Sequence, residues 1–219
     1  MKTPRFITFT GADDTTDIDA MCQLYRDYPI EWGLLFSPKR QGQGRYPSLD
    51  FIKRLVEAHP MEYAAHLCGD YSRAVLAGQF IDHLDLINHN FARVQVNTTD
   101  PVADPYRVAL YWNESLIEPI LQCRGAFPLG REVSWLFDAS GGRGIEPSSW
   151  PAAPAHQFVG FAGGLKPTNV GAAMKTLGAI ATHFWIDMES GVRDENDRFS
   201  VDLCRQVCEV VYGKPGYAK

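Results

Sequence analysis

From Arg5 onward, short apolar runs alternate with longer amphipathic segments, and few architectures accept that rhythm along a whole chain. "RFITFT" (5–10) leads into "DIDAMCQLYRDY", where Ile18, Met21, Cys22 and Tyr25 recur at helical spacing. "IEWGLLF" (30–36) is followed by a Gly-rich loop and then by Ser48, placed to cap "LDFIKRLVEA". "MEYAAHLC" (61–68), "ARVQV" (92–96) and "RVALYW" (107–112) read as the third to fifth strands. "SRAVLAGQFIDHLDLI" and "ESLIEPILQC" between and after them read as helices, the second kinked by its proline. "EVSWLFD" (132–138), "HQFVGFAGG" and "ATHFWIDMESG" (181–191) complete the set, with "KPTNVGAAMKTLGAI" as a helix carrying Pro167 in its first turn. Ser200 caps the last amphipathic segment, "VDLCRQVCEVV".

The apolar runs are not strictly alternating, which suits parallel strands covered by helices. Eight such units within 219 residues predict one (β/α)8 barrel domain over 1–219, an α/β fold of the TIM-barrel type. An open doubly wound sheet fits the same pattern. "EPSSWPAAPAH" (146–156) lies where a barrel helix belongs and reads as a loop in its place.

A formal charge of -5 argues against nucleic acid or an anionic membrane as a general partner, so an anionic ligand needs a local pocket. The five cysteines, Cys22, Cys68, Cys123, Cys204 and Cys208, are odd in number, form no CxxC and fall in apolar segments, as reduced cytoplasmic thiols do. Cys204 and Cys208 stand four apart without histidine or carboxylate support, so packing rather than a metal is expected of them. The apolar stretch after "MKTPR" is too short for a signal peptide, and no run has membrane-spanning length, which makes the cytoplasm the default.

Active groups of a barrel lie where its strands end. "FVGFAGGLKPTNV" (158–170) closes a strand with Gly163 and Gly164 just ahead of a helix, where free backbone N–H groups converge on a point suited to an anion. Ser190, Gly191 and Arg193 follow the last strand, and the corner between strands seven and eight commonly makes a phosphate site. "FDASGGRG" puts Asp138 at the end of strand six, where a partly desolvated carboxyl group can serve as a general acid. An aspartate bonding its own turn gives the same pattern.

"LFDASGGRG" with Trp150 downstream, "FAGGLKPTNV" and "IDMESGV" before a terminal amphipathic helix together resemble, in order and spacing, the C-terminal half of phosphoribosylanthranilate isomerase, a (β/α)8 barrel of tryptophan biosynthesis. "GRYPS" (44–48) after "GLLFSPK" is similar to that family's second-strand loop, and "VQV" (94–96) to its fourth strand. The resemblance runs end to end, densest over 132–211 and thinnest over 69–127. It implies an Amadori rearrangement of a phosphorylated aminoaldose into an aminoketose, with no metal and no redox cofactor. Asp138 matches the family's general acid, which protonates the ring oxygen. Arg45, or Arg40 under another loop alignment, matches the arginine that contacts the substrate carboxylate. Gly163, Gly164, Ser190 and Gly191 match the phosphate-holding loops, with Arg193 placed to add positive charge.

Strand one departs from the family, whose general base is the cysteine of a Lys-Ile-Cys-Gly motif. Here the motif is "TFTG", so Thr8 and Thr10 replace the lysine and the cysteine, and a threonine hydroxyl needs strong activation to act as a base. Asp13 and Asp14 in "GADDTTD" can reach over the mouth as a replacement base or serve as a loop and cap cluster. His66 and Cys68 share one face of strand three and offer base function or core packing. Glu189 stands where the family usually has serine and can repel phosphate, contact a sugar hydroxyl or pair with Arg193. The expectation is a phosphoribosylanthranilate isomerase-like enzyme acting on a small phosphorylated sugar derivative. Another sugar-phosphate isomerase, epimerase or lyase, and a catalytically silent barrel that binds a phosphometabolite, are the alternatives.

Overall fold

A computed structural model describes residues 2–98 and 100–215. Eight parallel strands pair in sequence order, and the first closes on the last: β1 (Ile7–Thr10), β2 (Ile30–Phe36), β3 (Tyr63–Leu67), β4 (Arg93–Val96), β5 (Glu118–Cys123), β6 (Ser134–Asp138), β7 (Phe158–Ala162) and β8 (His183–Met188). The helices are α1 (Ile18–Asp27), α2 (Leu49–Ala58), α3 (Asp70–Leu76), α4 (Leu84–Asn90), α5 (Pro105–Tyr111), α6 (Val170–Ile180) and α7 (Val201–Tyr212). This is the (β/α)8 barrel, not the open sheet. Among the described residues no helix is long and apolar enough to cross a membrane.

Strand periodicity sorts side chains between two cores. On β1, Ile7 and Phe9 face the helices, and Phe9 packs on Trp32, which meets Phe199 ahead of α7. A small second core of Ile120, Leu136 and Trp185 forms a separate cluster, with Phe6, Phe158 and Ala162 packed against it. Beside it lies a buried ion pair, Arg93 to Glu31, at 2.8 Å through both Nε and Nη2. Thr8 donates a third bond to Glu31 at 2.7 Å, and the guanidinium stacks over Trp185 and Phe6.

Four stretches fold differently from the expectation. "RVALYW" belongs to helix α5, because Asp104 caps it through Tyr106 N and Pro105 occupies its first turn. The fifth strand comes from "ESLIEPILQC" instead, with Pro119 at its second position, where the missing N–H costs at most one ladder bond. "SRAVLAGQFIDHLDLI" contributes to two short helices, α3 and α4, because Gly78 at φ 70° ends the first. Pro167 lies in the turn before α6, whose cap is Asn169.

No helix follows β5 or β6, and the loop over 146–156 stands in for the second of them. Two loop aromatics cover that flank: Phe127 lies edge-on to Phe161 at 5.3 Å, and Trp150 meets Phe137 and Phe161 at 5.8 and 5.7 Å. At the barrel's closure α7 packs on α1 and α6. Ser200 caps it by accepting from Leu203 N at 3.2 Å. Ser200→Ala is expected to cost about 1 kcal/mol and to lower Tm by roughly 2–4 °C in a thermal melt.

Candidate active site

The C-terminal mouth of the barrel holds a cavity whose polar wall comes from six strands: Thr10, His66, Gln95 with Asn97, Gln122, Asp138 and Asp187. Gly33 on β2 makes the room between them. A methyl group there would overlap the Thr10 hydroxyl and stand 3.0 Å from His66 Nε2.

Asp187 lies at the centre. It is 7% exposed, accepts from the Thr10 hydroxyl at 3.0 Å through Oδ1, and has Oδ2 3.9 Å from His66 Nε2. Burial pushes its carboxyl up to about 8, with Glu189 and Glu31 adding repulsion and the Thr10 hydrogen bond and Arg93 opposing. Burial and the Arg93 guanidinium push the His66 imidazole down to about 3, so it is neutral at physiological pH. Its Nε2 is buried and has no protein partner among the described residues. His66 Nδ1 lies 3.4 Å from the Gln95 amide, which donates to Asn97 Oδ1 at 2.7 Å; Asn97 in turn donates to Cys68 Sγ at 3.1 Å. Cys68 therefore touches the far end of this chain and does not line the cavity.

Asp138 sits one strand away from Asp187 on the other side of β7, in one cross-strand row: Asp138 pairs with Ala162, and Ala162 with Asp187. Its carboxylate accepts from Ser140 N, Ser140 Oγ and Gly141 N on Oδ1, and from Gly142 N at 2.6 Å on Oδ2. The aspartate closes its own loop while lining the cavity.

The rim is a lattice of ion pairs. Arg45 donates to Glu189 at 2.8 Å, Ser190 Oγ at 3.2 Å and Asp197 at 2.9 Å. Arg193, with its side chain 3% exposed, reaches Gly11 O at 2.8 Å, Asp13 at 3.2 Å and Asp197 at 2.9 Å. Asp13 is also filled by Thr15 N and Oγ1, and Asp14 accepts from Ser48 N, so both tie loops together. Arg40 is exposed and stacks 4.5 Å over Tyr46. None of Arg40, Arg45, Arg193, Asp13 and Asp14 lines the cavity, whereas Thr10, Asp138, Glu189, Gly163, Gly164, Ser190 and Gly191 do.

The glycines allow loops to touch. Gly163 and Gly164 have φ of 131° and 62°, and a side chain at Gly164 would overlap the backbone of Glu146. One at Gly191 would overlap the carbonyl of Leu165. Among the described residues the backbone N–H groups of Gly163, Gly164, Ser190 and Gly191 donate to no protein acceptor, which leaves four donors beside one cavity wall.

Sequence reasoning passed over Asp187, Gln95, Asn97 and Gln122 as site residues. The signal for Asp187 was an ionisable residue inside "HFWIDM", and Glu31 and Arg93 carry the same mark within "IEWGLLF" and "ARVQV". In a barrel strand with an apolar outer face, such a residue must point inward.

No family model matches the chain, and no curated protein matches it in sequence. Solved structures do match in shape. TrpF from Jonesia denitrificans superposes with a TM-score of 0.67 at 17% identity, over 95% of this chain and 97% of that one. Phosphoribosylanthranilate isomerase from Thermotoga maritima gives 0.62 at 15% identity, over 96% and 99%. A mutant tryptophan synthase α-subunit from Pyrococcus furiosus gives 0.57 at 16% identity, over 97% and 99%. Over nearly its whole length, this chain thus shares the barrel fold of the phosphoribosylanthranilate isomerases.

Proposed function

We propose that the protein is an aldose–ketose isomerase acting on a phosphorylated aminosugar, a phosphoribosylanthranilate isomerase-like activity with a relocated base. The observation that carries this is the buried Asp187 carboxyl group, hydrogen-bonded to Thr10 at the position the resemblance gives to the catalytic cysteine. An Amadori rearrangement opens the sugar ring as its oxygen gains a proton, with the nitrogen lone pair forming the C=N bond. A proton then leaves the adjacent carbon, its C–H electron pair forms a C=C bond as the C=N π pair returns to nitrogen, and the resulting enol-amine tautomerises to the ketone. Ionised Asp187 removes the carbon-bound proton, and Thr10 orients that carboxylate. Asp138 faces the ring oxygen from β6. The free N–H groups of Gly163, Gly164, Ser190 and Gly191 hold the phosphate. The enzyme needs no metal or redox cofactor for these steps, and a soluble sugar phosphate is its substrate.

In a thermal melt, ribose 5-phosphate at 100 times its Kd is expected to stabilise the protein by about 2.7 kcal/mol, and Gly164→Asp to remove that shift. No shift at millimolar ligand would sink the phosphate site and the reading with it. The saturation of Asp138 by its own loop favours a second reading, a binding barrel without turnover. Turnover of phosphoribosylanthranilate or of its o-carbamoyl analogue, read as appearance of the aminoketose product on adding the protein, decides between them.

A further inference from the structure

Granting the proposed isomerase, the mouth constrains the part of the substrate beyond the sugar. The family resemblance assigns Arg45 to a substrate carboxylate, but here Arg45 is bound to Glu189 and Asp197 and lies outside the cavity. Glu189 itself lines the cavity, with Asp138 and Asp187, and no lysine or arginine is among the lining residues. A second anionic group on the substrate would therefore meet three carboxyl residues and no cation.

A polar wall of another kind lies across from the phosphate loops. Gln95, Asn97 and Gln122 end β4 and β5, and Asn97 and Gln122 also line an adjoining groove with Ser72, Arg73, Thr98 and Asp100. Arg73 is tied to Asp70. Among the described residues the Gln122 amide makes no hydrogen bond, and Gln95 Oε1 is likewise uncommitted, so donors and acceptors of zero net charge face the cavity. Buried neutral amides discriminate by pairing: a partner with matching donors and acceptors satisfies them, whereas a carboxylate offers only acceptors and brings charge.

We propose that the substrate's aglycone is an uncharged, hydrogen-bonding ring of the carboxamide type, seated on the Gln122 amide and Gln95 Oε1, with Asn97 holding the Gln95 amide in place. Glu189 acts as the specificity residue that excludes a carboxylate, by holding Arg45 out of the cavity and by its own charge.

The test is calorimetric titration of the full chain with three probes: ribose 5-phosphate, reduced 1-(o-carboxyphenylamino)-1-deoxyribulose 5-phosphate, and the matching o-carbamoyl compound. The carbamoyl compound is expected to bind at least tenfold tighter than the carboxylate. Gln122→Leu should reduce that preference below threefold, and Glu189→Ser should shift it toward the carboxylate. If ribose 5-phosphate binds but the carboxylate compound binds as tightly as the carbamoyl one, or tighter, the inference fails while the isomerase reading stands. If the preference holds but is unchanged in a folded Gln122→Leu variant, the amide seat is wrong. Absence of binding by all three probes overturns both.

Discussion

Asp187→Asn is expected to lower turnover by about 10²–10⁴-fold while leaving ribose 5-phosphate binding intact. The side chain keeps its shape and its bond to Thr10, so the change removes the proton-accepting function and little else. The pH profile is the sharper readout. With the carboxyl group pushed up to about 8, its basic form fills in as pH rises through that region, and wild-type kcat/KM should climb accordingly. The residual rate of the variant should be flat over the same range. Stability moves the other way. The unfolded chain releases this proton near 3.8 and the folded protein near 8, so the folded state binds more protons in between. Stability therefore falls as pH climbs across that interval, by about 1.4 kcal/mol for each unit. Asp187→Asn is free of that loss and should melt several degrees above wild type at pH 8. An inactive variant that is no more stable would point to damage rather than to lost proton transfer.

The second large effect is expected at the barrel's interior ion pair. Arg93→Met leaves Glu31 buried with only the Thr8 hydroxyl for company, at a cost of about 3–5 kcal/mol. The thioether still packs between Phe6 and Trp185, so lost packing contributes little. Glu31→Leu with Arg93→Met removes both charges and should recover most of the loss, because desolvation of an unpaired charge is what the single variant suffers. Urea unfolding of the wild type and the variants measures it. Costs that simply add in the double variant would show that the ion pair is not the source.

The α/β class was legible in the alternation of apolar runs with amphipathic segments, while the same pattern also suited an open sheet until β1 was seen to pair with β8; the caps at Ser48 and Ser200 were legible because capping is local. The fifth strand was not. "RVALYW" has the composition of a strand, yet an aspartate and a proline ahead of it start a helix, and Leu110 stays 66% exposed. "EPILQC" has a proline that argues against a strand until its position at the start of the ladder is known.

The site divided along the same line. Strand-end glycines and Asp138 could be marked from sequence, since a turn, a loop and a strand end are all short-range features. Which of them face the cavity depended on contacts between residues far apart in the chain: Thr10 with Asp187, Arg45 with Glu189, Arg193 with Gly11. The sequence by itself determined the fold class, the polarity of the strands and the corner where free N–H groups gather. Only the tertiary structure decided that Asp187 is a buried acid, that two arginines are spent on the rim and that neutral amides face the cavity. Closure of the barrel brings strand one beside strand eight and fixes local dielectric and charge pairing, and no local pattern records either.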